Sequence, residues 1–308
     1  MKKIACIGEV MIELSLQDAA TAHIGIAGDT YNTAVYLAHL LRTQANVHYI
    51  TALGQDSFSD RILGHMDHHG IALDHVVRHP IKTAGMYAIE TDEFGERRFS
   101  YWRSDSAART LFSAECSLSL DILTNFDLVY ISAISLAILP PEQRHALIEA
   151  LIYYQARGGV VAYDSNHRPQ LWESTKAAEH INDVMWDFVK IALPSLNDEM
   201  TIFSDADSAL VMQRLCKSGP RLGALKQGHL GPCDLHGSIV QSYPVIHKIV
   251  DSTAAGDSFN AGYLAGYVTG ADVADNLMQA HELASRVIQH RGAILPDAEL
   301  AKLTVTKA

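Results

Sequence analysis

The chain has 308 residues, 48% of them hydrophobic, enough for one large α/β domain or two smaller ones with a substantial core. A formal net charge of -11 argues against nucleic acid as a partner, because phosphate backbones select basic faces, while small anionic ligands need only a few local cations. Cys6, Cys116, Cys216 and Cys233 form no CxxC pair, which points to reduced thiols in a cytoplasmic protein rather than a zinc site or a disulfide framework.

The opening "MKKIACIGEVMIEL" carries two lysines, but Glu9 interrupts an apolar run too short for a signal peptide, and no later stretch is long enough for a membrane span. "KIACIG" (3–8) is the first expected strand. "GIAGDTYNTA" (25–34) then sets glycine and small polar residues ahead of an expected helix over 30–42. Asp29 or Thr30 suits a cap there. Asp29 and Asn32, three residues apart, also suit a polyhydroxylated ligand held at the helix start. A strand is expected over "VHYITAL" (47–53), and His68-His69 reads as a solvated helix end, with no HExxH pattern nearby.

"AGMYAIETDEFGERRFSYWRSDSA" (84–107) breaks the rhythm, with alternating character around an Asp-Glu-Phe-Gly turn, the signature of a β-hairpin. Phe99, Tyr101 and Arg103 share one face of its second arm, and an odd-length loop sets Tyr87 opposite Tyr101 on that face. An arginine on an aromatic face exceeds what a plain hairpin needs, so a lid over a substrate is expected.

Strands follow at "FDLVYIS" (126–132), "GVVAYD" (159–164), "VKIALP" (189–194) and "RLGALKQG" (221–228), with amphipathic helices over 140–157 and 206–219. Nearly unbroken apolar strands separated by helices describe a mostly parallel sheet covered on both faces, with ligands at the strands' carboxyl ends. "DSNHRPQLW" (164–172) leaves such an end: Asp164, Asn166 and Arg168 alternate, and Pro169 keeps Arg168 extended. The bland reading is a surface Asp–Arg pair; the functional one is a guanidinium clamp for a carboxylate or phosphate. "LKQGHLG" (225–231) ends another strand with Gly228 and Gly231 beside Lys226, which suits a nucleotide phosphate, although there is no GxxxxGK[ST] P-loop.

"DSTAAGDSFNAGYLAG" (251–266) sets a small-residue loop before a helix whose Phe259, Tyr263 and Tyr267 form one apolar stripe. The N–H groups at a helix start lack partners and suit an anion. Asp257 there is either an N-cap or the group that accepts a proton from a hydroxyl while those N–H groups hold a phosphoryl group in transfer.

Together "GIAGDTYNTA", "DSNHRP" and "DSTAAGD" make the full chain resemble the PfkB (ribokinase-type) sugar kinases. Within that family "GERRFSYWR", "SAISLAILPP", "DSNHRPQLW" and "VIQHRGAILP" resemble the branch acting on 2-keto-3-deoxygluconate. The resemblance implies a single ribokinase-like α/β domain over 1–308, a mostly parallel sheet with helices on both faces plus a small β-hairpin lid, with lid segments near 9–24 and 84–107. It implies that Asp257 takes the proton from the sugar's primary hydroxyl and that Ala254, Ala255 and Gly256 offer the anion hole. Gly28, Asp29, Asn32, Tyr87, Tyr101, Arg103 and Arg168 would hold the sugar acid. Asn166, Ser195, Lys226, Gly228, Gly231 and His281 would lie along ATP, with Arg168 and the 254–256 loop also near it.

The implied co-substrate is ATP with Mg²⁺, and a monovalent cation is a further candidate. Two departures stand out: Ala27-Gly28-Asp29 replaces Gly-Gly-Asp, and the N-x-x-E motif survives only as Ser195-Leu196-Asn197-Asp198 or in a shifted frame with Asn197, so the magnesium-linked residues are not assigned. The implied activity is phosphorylation of 2-keto-3-deoxygluconate. A kinase of a neutral ketose such as fructose, or a sugar-acid sensor without catalysis, are the alternatives, and Arg103 with Arg168 separates the first of these from the acid-sugar reading. A homo-oligomer through an edge of the lid is also expected.

Overall fold

The computed structural model describes residues 1–305 apart from 19, 92–96, 219–221, 238 and 240. The chain begins β1 (Lys2–Ile7), β2 (Met11–Leu16), β3 (Ala22–Ala27), α1 (Asp29–Leu40), β4 (Ala45–Leu53), α2 (Ser57–His68), β5 (Val76–Arg78), β6 (Gly85–Thr91) and β7 (Arg97–Trp102). It continues β8 (Leu128–Ser132), α3 (Ala133–Ile138), α4 (Pro141–Ala156), β9 (Val160–Asp164), α5 (Thr175–Phe188), β10 (Ile191–Ala192), α6 (Leu196–Phe203) and α7 (Ser208–Ser218). Last come β11 (Leu222–Lys226), β12 (Pro232–Asp234), α8 (Ala255–Thr269), α9 (Val273–Val287) and α10 (Asp297–Leu300).

Eight strands form the main sheet in the order β12-β11-β10-β9-β8-β1-β4-β5. Every pairing in it is parallel except that of β11 with β12. Side chains alternate across the sheet. Ile4 and Cys6 join a core with Leu37 of α1, Leu264 of α8 and Leu283 of α9, while Ala5 and Ile7 join another with Leu151 of α4, Trp186 of α5 and Leu215 of α7. Central strands buried on both faces therefore carry no polar side, as their sequences indicated. The order reverses at β1, whose neighbours β4 and β8 lead to opposite edges of the sheet. The crevice at such a switch point is where a ligand fits.

Helix α8 is buried nearly all round and not along one stripe: Asp257 through Gly266 are all buried, whereas Tyr267 is half-buried. It packs against α9 so closely that a Cβ on Gly262 would lie 2.7 Å from the Ala280 Cα, so glycine is required for this approach. Among the described residues no helix is long and apolar enough to cross a membrane.

The expected hairpin and the other expected lid segment, near 9–24, form one second sheet. β6 and β7 do pair antiparallel with Tyr87 opposite Tyr101, as an odd loop requires, and the Asp-Glu-Phe-Gly turn lies outside the described residues. β2 and β3, from the segment near 9–24, complete a four-stranded sheet in the order β3-β2-β6-β7. A two-stranded hairpin is marginal in water, and the added strands pair the free edge of β6. The His68-His69 expectation is corrected in part: His68 is exposed, but His69 is buried, its Nδ1 3.0 Å from His39 Nε2.

Candidate active site

Two helix starts meet at the crevice, and neither is capped by the expected aspartate. The residue before α8 is Ala254, in the left-handed region at φ 59°, with no side-chain cap. A residue with a Cβ pays roughly 1–2 kcal/mol for that conformation. Asp251 holds the loop in place, accepting from Thr253 N (2.8 Å) and Gly292 N (2.9 Å). Ala255 N bonds Ser252 O, but the Gly256 and Asp257 N–H groups have no partner among the described residues and stand at the positive end of α8. The Asp257 carboxylate faces away from a capping role: Asn32 Nδ2 donates to its Oδ2 at 2.8 Å.

At α1 the position before the helix is Gly28, again without a side-chain cap. A Cβ there would lie 2.3 Å from the Glu9 carbonyl oxygen, so the retained glycine of Ala27-Gly28-Asp29 is the one the backbone requires. The side chain of Thr30 meets Tyr49 Oη at 2.9 Å, and Asp29 accepts from Asn166 Nδ2 at 3.0 Å.

Asp164, at the end of β9, organises the phosphate side. It accepts from Asn166 N (3.0 Å), Lys226 Nζ (2.8 Å) and Asn260 Nδ2 (2.6 Å). Asn260 in turn contacts Tyr130 Oη and accepts from Lys226 Nζ at 3.1 Å. The bland alternative of a surface Asp–Arg pair does not form: Asp164 is buried and pairs with Lys226, because Lys226 ends a strand of the same sheet. Arg168 is extended before Pro169 and donates to its neighbour's carbonyl, His167 O, at 2.8 Å. Lys226 Nζ sits 3.7 Å from the place a Gly256 Cβ would occupy, so the ammonium and the free N–H groups of α8 converge on one point.

On the lid, the Tyr87 and Tyr101 rings lie 5.8 Å apart, and Phe99 and Tyr101 stack at 6.2 Å. Tyr87 donates its hydroxyl proton to Glu13. Arg103, expected to hold the sugar acid, forms an ion pair with Glu9.

These surfaces enclose a cleft of about 1370 Å³. All residues expected at the sugar acid line it, as do Asp257, the 254–256 loop, Asn166, Ser195 and Lys226. Despite the net charge of -11, among the described residues four basic side chains line the cleft (Arg103, Arg109, Arg168, Lys226) against four aspartates (Asp29, Asp164, Asp198, Asp257). Burial, then the charge of Asp29, pushes the Asp257 carboxyl up to about 8, with Asn32 and Lys226 opposing the shift. Asp198 is also raised, by burial first and then by Asp164.

Three expected ATP residues do not line this cleft. Gly228 and Gly231 follow β11 with φ of 58° and 81°, and a Cβ on Gly231 would lie 2.5 Å from the Tyr243 ring. His281 packs on the same Tyr243 ring at 4.9 Å, is 3.0 Å from Pro244 O, and borders a second hollow of about 330 Å³. Gly231 and His281 thus both pack on Tyr243, while a Cβ on Gly228 would meet nothing within 4 Å. Residues missed from sequence are Asp164 as a central acceptor, Asn260, Asp198, Arg109 and Glu9. The spacing of Asn260, one helical turn after Asp257, was the available signal for Asn260.

A divalent cation fits this cleft by chemistry. Asp198 stands where the N-x-x-E motif ends; burial first and then the Asp164 charge disfavour its ionised form, which a divalent cation would favour. Among the described residues the three metal-ligating groups that do draw together, His68, His69 and Asp297, do not line the cleft.

The chain is 40% identical over 303 residues to the 2-dehydro-3-deoxygluconokinase of Escherichia coli, covering 96% of this chain and 97% of that one. It is 41% identical to the enzyme of the same name from Dickeya dadantii, with the same coverage. The fold matches the crystal structure of Vibrio cholerae fructokinase, bound to fructose, ADP and calcium, with a TM-score of 0.83 and 19% identity over 97% of this chain and 98% of that one. The family model for pfkB family carbohydrate kinases matches residues 1–300, and with a helix start, a buried aspartate and a lysine converging at one crevice, the chain belongs to that family.

Proposed function

We infer that the chain is an ATP-dependent kinase converting 2-keto-3-deoxy-D-gluconate into 2-keto-3-deoxy-6-phosphogluconate, acting as one domain with the second sheet as its lid. The observation that carries the reading is the Asp257 carboxylate beside the unpartnered N–H groups of α8 and the Lys226 ammonium, with arginines lining the same cleft. The relatives at about 40% identity share the name 2-dehydro-3-deoxygluconokinase, a synonym for that activity.

In this mechanism Asp257 accepts the proton of the terminal hydroxyl as its oxygen bonds to the γ-phosphorus. The bond from that phosphorus to the β,γ-bridging oxygen breaks, and ADP leaves. Asn32 holds the Asp257 carboxylate. The Gly256 and Asp257 N–H groups and Lys226 face the phosphoryl oxygens as charge moves onto them. Asp29, fixed by Asn166, accepts from sugar hydroxyls, and Arg103 and Arg168 meet the acid group. Asp198 is the carboxylate that would hold Mg²⁺, which would supply charge neutralisation at the phosphates when bound. EDTA in excess is therefore expected to abolish ADP release, with recovery on adding Mg²⁺; undiminished activity would contradict this assignment.

The test of the function is ADP release against a panel of sugar acids and neutral sugars. Turnover of fructose but not of 2-keto-3-deoxygluconate would replace the reading with a ketose kinase, and absence of any turnover would favour a sensor. Arg103→Ala is expected to lower kcat/KM for the sugar acid by about 10- to 150-fold, the worth of one charge-assisted hydrogen bond. A neutral sugar, which makes no such contact, should lose far less; equal losses would remove the carboxylate clamp. The proposal includes a cytoplasmic homo-oligomer paired through a lid edge, which sedimentation analysis of the purified chain decides: a monomer at micromolar concentration rejects it.

A further inference from the structure

We propose that Glu9 is a positioning residue that aims the guanidinium of Arg103 at the substrate's carboxylate, an inference that rests on the sugar-acid reading above. Glu9 follows β1, and its side chain is 1% exposed; that of Arg103, at the end of the lid strand β7, is 9% exposed. Apart from their ion-pair contact, neither oxygen of Glu9 and neither Nε nor Nη2 of Arg103 has a hydrogen-bond partner among the described residues. Arg103 lines the cleft and Glu9 does not, so the carboxylate lies behind the guanidinium as seen by a ligand.

The slot is shaped for this pair. A Cβ on Gly85 would lie 2.6 Å from Glu9 Oε1 and 3.2 Å from the Arg103 Cβ, so a side chain at 85 would drive the two groups apart. A guanidinium carries five donors in a planar fork and loses rotamer freedom when one side is held. With Glu9 holding the Nη2 side and Nε buried, Nη1 is the terminal nitrogen left for an incoming acid. The arrangement repeats four residues on, where Glu13 takes the single proton of Tyr87. The Tyr87 oxygen can then only accept, which suits a sugar hydroxyl and not a carboxylate. Two glutamates of the β1–β2 segment thus set donor and acceptor roles on the lid face: Arg103 donates to the acid, and Tyr87 accepts from a hydroxyl.

The test is steady-state kinetics of Glu9→Gln with 2-keto-3-deoxygluconate and with fructose. Glutamine keeps the shape but weakens the hold on the fork, so KM for the sugar acid should rise about 10-fold, the lower end for a hydrogen bond to a charged group. The kcat should stay within about 2-fold and the fructose parameters should not move. Should Glu9→Gln fold poorly, Glu9→Asp keeps the charge, shortens the reach and should give the same KM rise. In an Arg103→Met background, adding Glu9→Gln should raise KM no further, since Glu9 acts only through Arg103. An unchanged or lowered KM for the acid, equal losses on both substrates, or additive effects in the double variant would overturn the proposal. A wild type with no preference for the sugar acid would instead overturn the functional reading itself.

Discussion

Asp257→Asn is expected to lower kcat by about 10²–10⁴-fold, the usual contribution of a positioned proton acceptor, while binding of the sugar acid by calorimetry stays nearly intact. Asparagine preserves the shape and keeps a carbonyl oxygen for the Asn32 donor at the 2.8 Å contact. Capping cannot explain a loss, because the position before α8 belongs to Ala254 and no side chain caps it. A variant within a few-fold of wild type would remove Asp257 from the reaction.

The same residue links activity and stability with opposite signs. Burial and the neighbouring Asp29 and Asp164 charges raise its carboxyl to about 8 in the folded chain, against roughly 4 in an unfolded one. Between those values the folded state holds a proton that the unfolded state has released. The stabilising contribution is therefore full below about pH 4 and lost as pH rises through about 8. Activity moves the other way: kcat/KM should climb toward pH 8 as the acceptor loses its proton. Asp257→Asn should accordingly melt higher than wild type at pH 8.5, although it is nearly inactive. A wild-type rate that is flat between pH 6 and 8.5, together with unchanged Tm in the variant, would show the carboxyl to be ordinary.

What the amino-acid order disclosed was mainly backbone logic. Apolar strands, small-residue loops before α1 and α8, and Pro169 holding Arg168 extended are local features, and each is where it was expected. The pairing of Tyr87 with Tyr101 followed from strand alternation and loop parity alone. The partners of charged groups were not legible, because pairing depends on which strands lie side by side. Asp164 and Lys226 are 62 residues apart and meet only because β9, β10 and β11 are neighbours. The Arg103–Glu9 pair depends in the same way on β2 and β6 running side by side, a pairing no local pattern announces. Some helices were legible and passed over. Asp56 accepts from Phe58 N and Ser59 N, and Ser174 accepts from Ala177 N, so α2 and α5 begin at residues that favour caps.

Lys226→Met should be the second most damaging change, lowering kcat by about 10²–10³-fold, as loss of one preorganised electrostatic contact to a charged transition state typically does. Two effects need separating. Lys226 sits over the start of α8, where the Gly256 Cβ position is 3.7 Å from its ammonium, and it is also the cationic partner of Asp164, whose side chain is 3% exposed. Removing it strands a buried carboxylate, which typically costs about 3–5 kcal/mol and should depress Tm as well as activity. Adding Asp164→Asn removes the stranded charge and leaves a neutral side chain whose single carbonyl oxygen can keep one of the two contacts, that from Asn260 or that from the Asn166 N–H. If the lysine acts on the transferring phosphoryl group, Lys226→Met/Asp164→Asn should regain most of the lost Tm and almost none of the lost kcat. If the lysine serves only to neutralise Asp164, the double variant should regain both together, and the ammonium would then have no part in phosphoryl transfer.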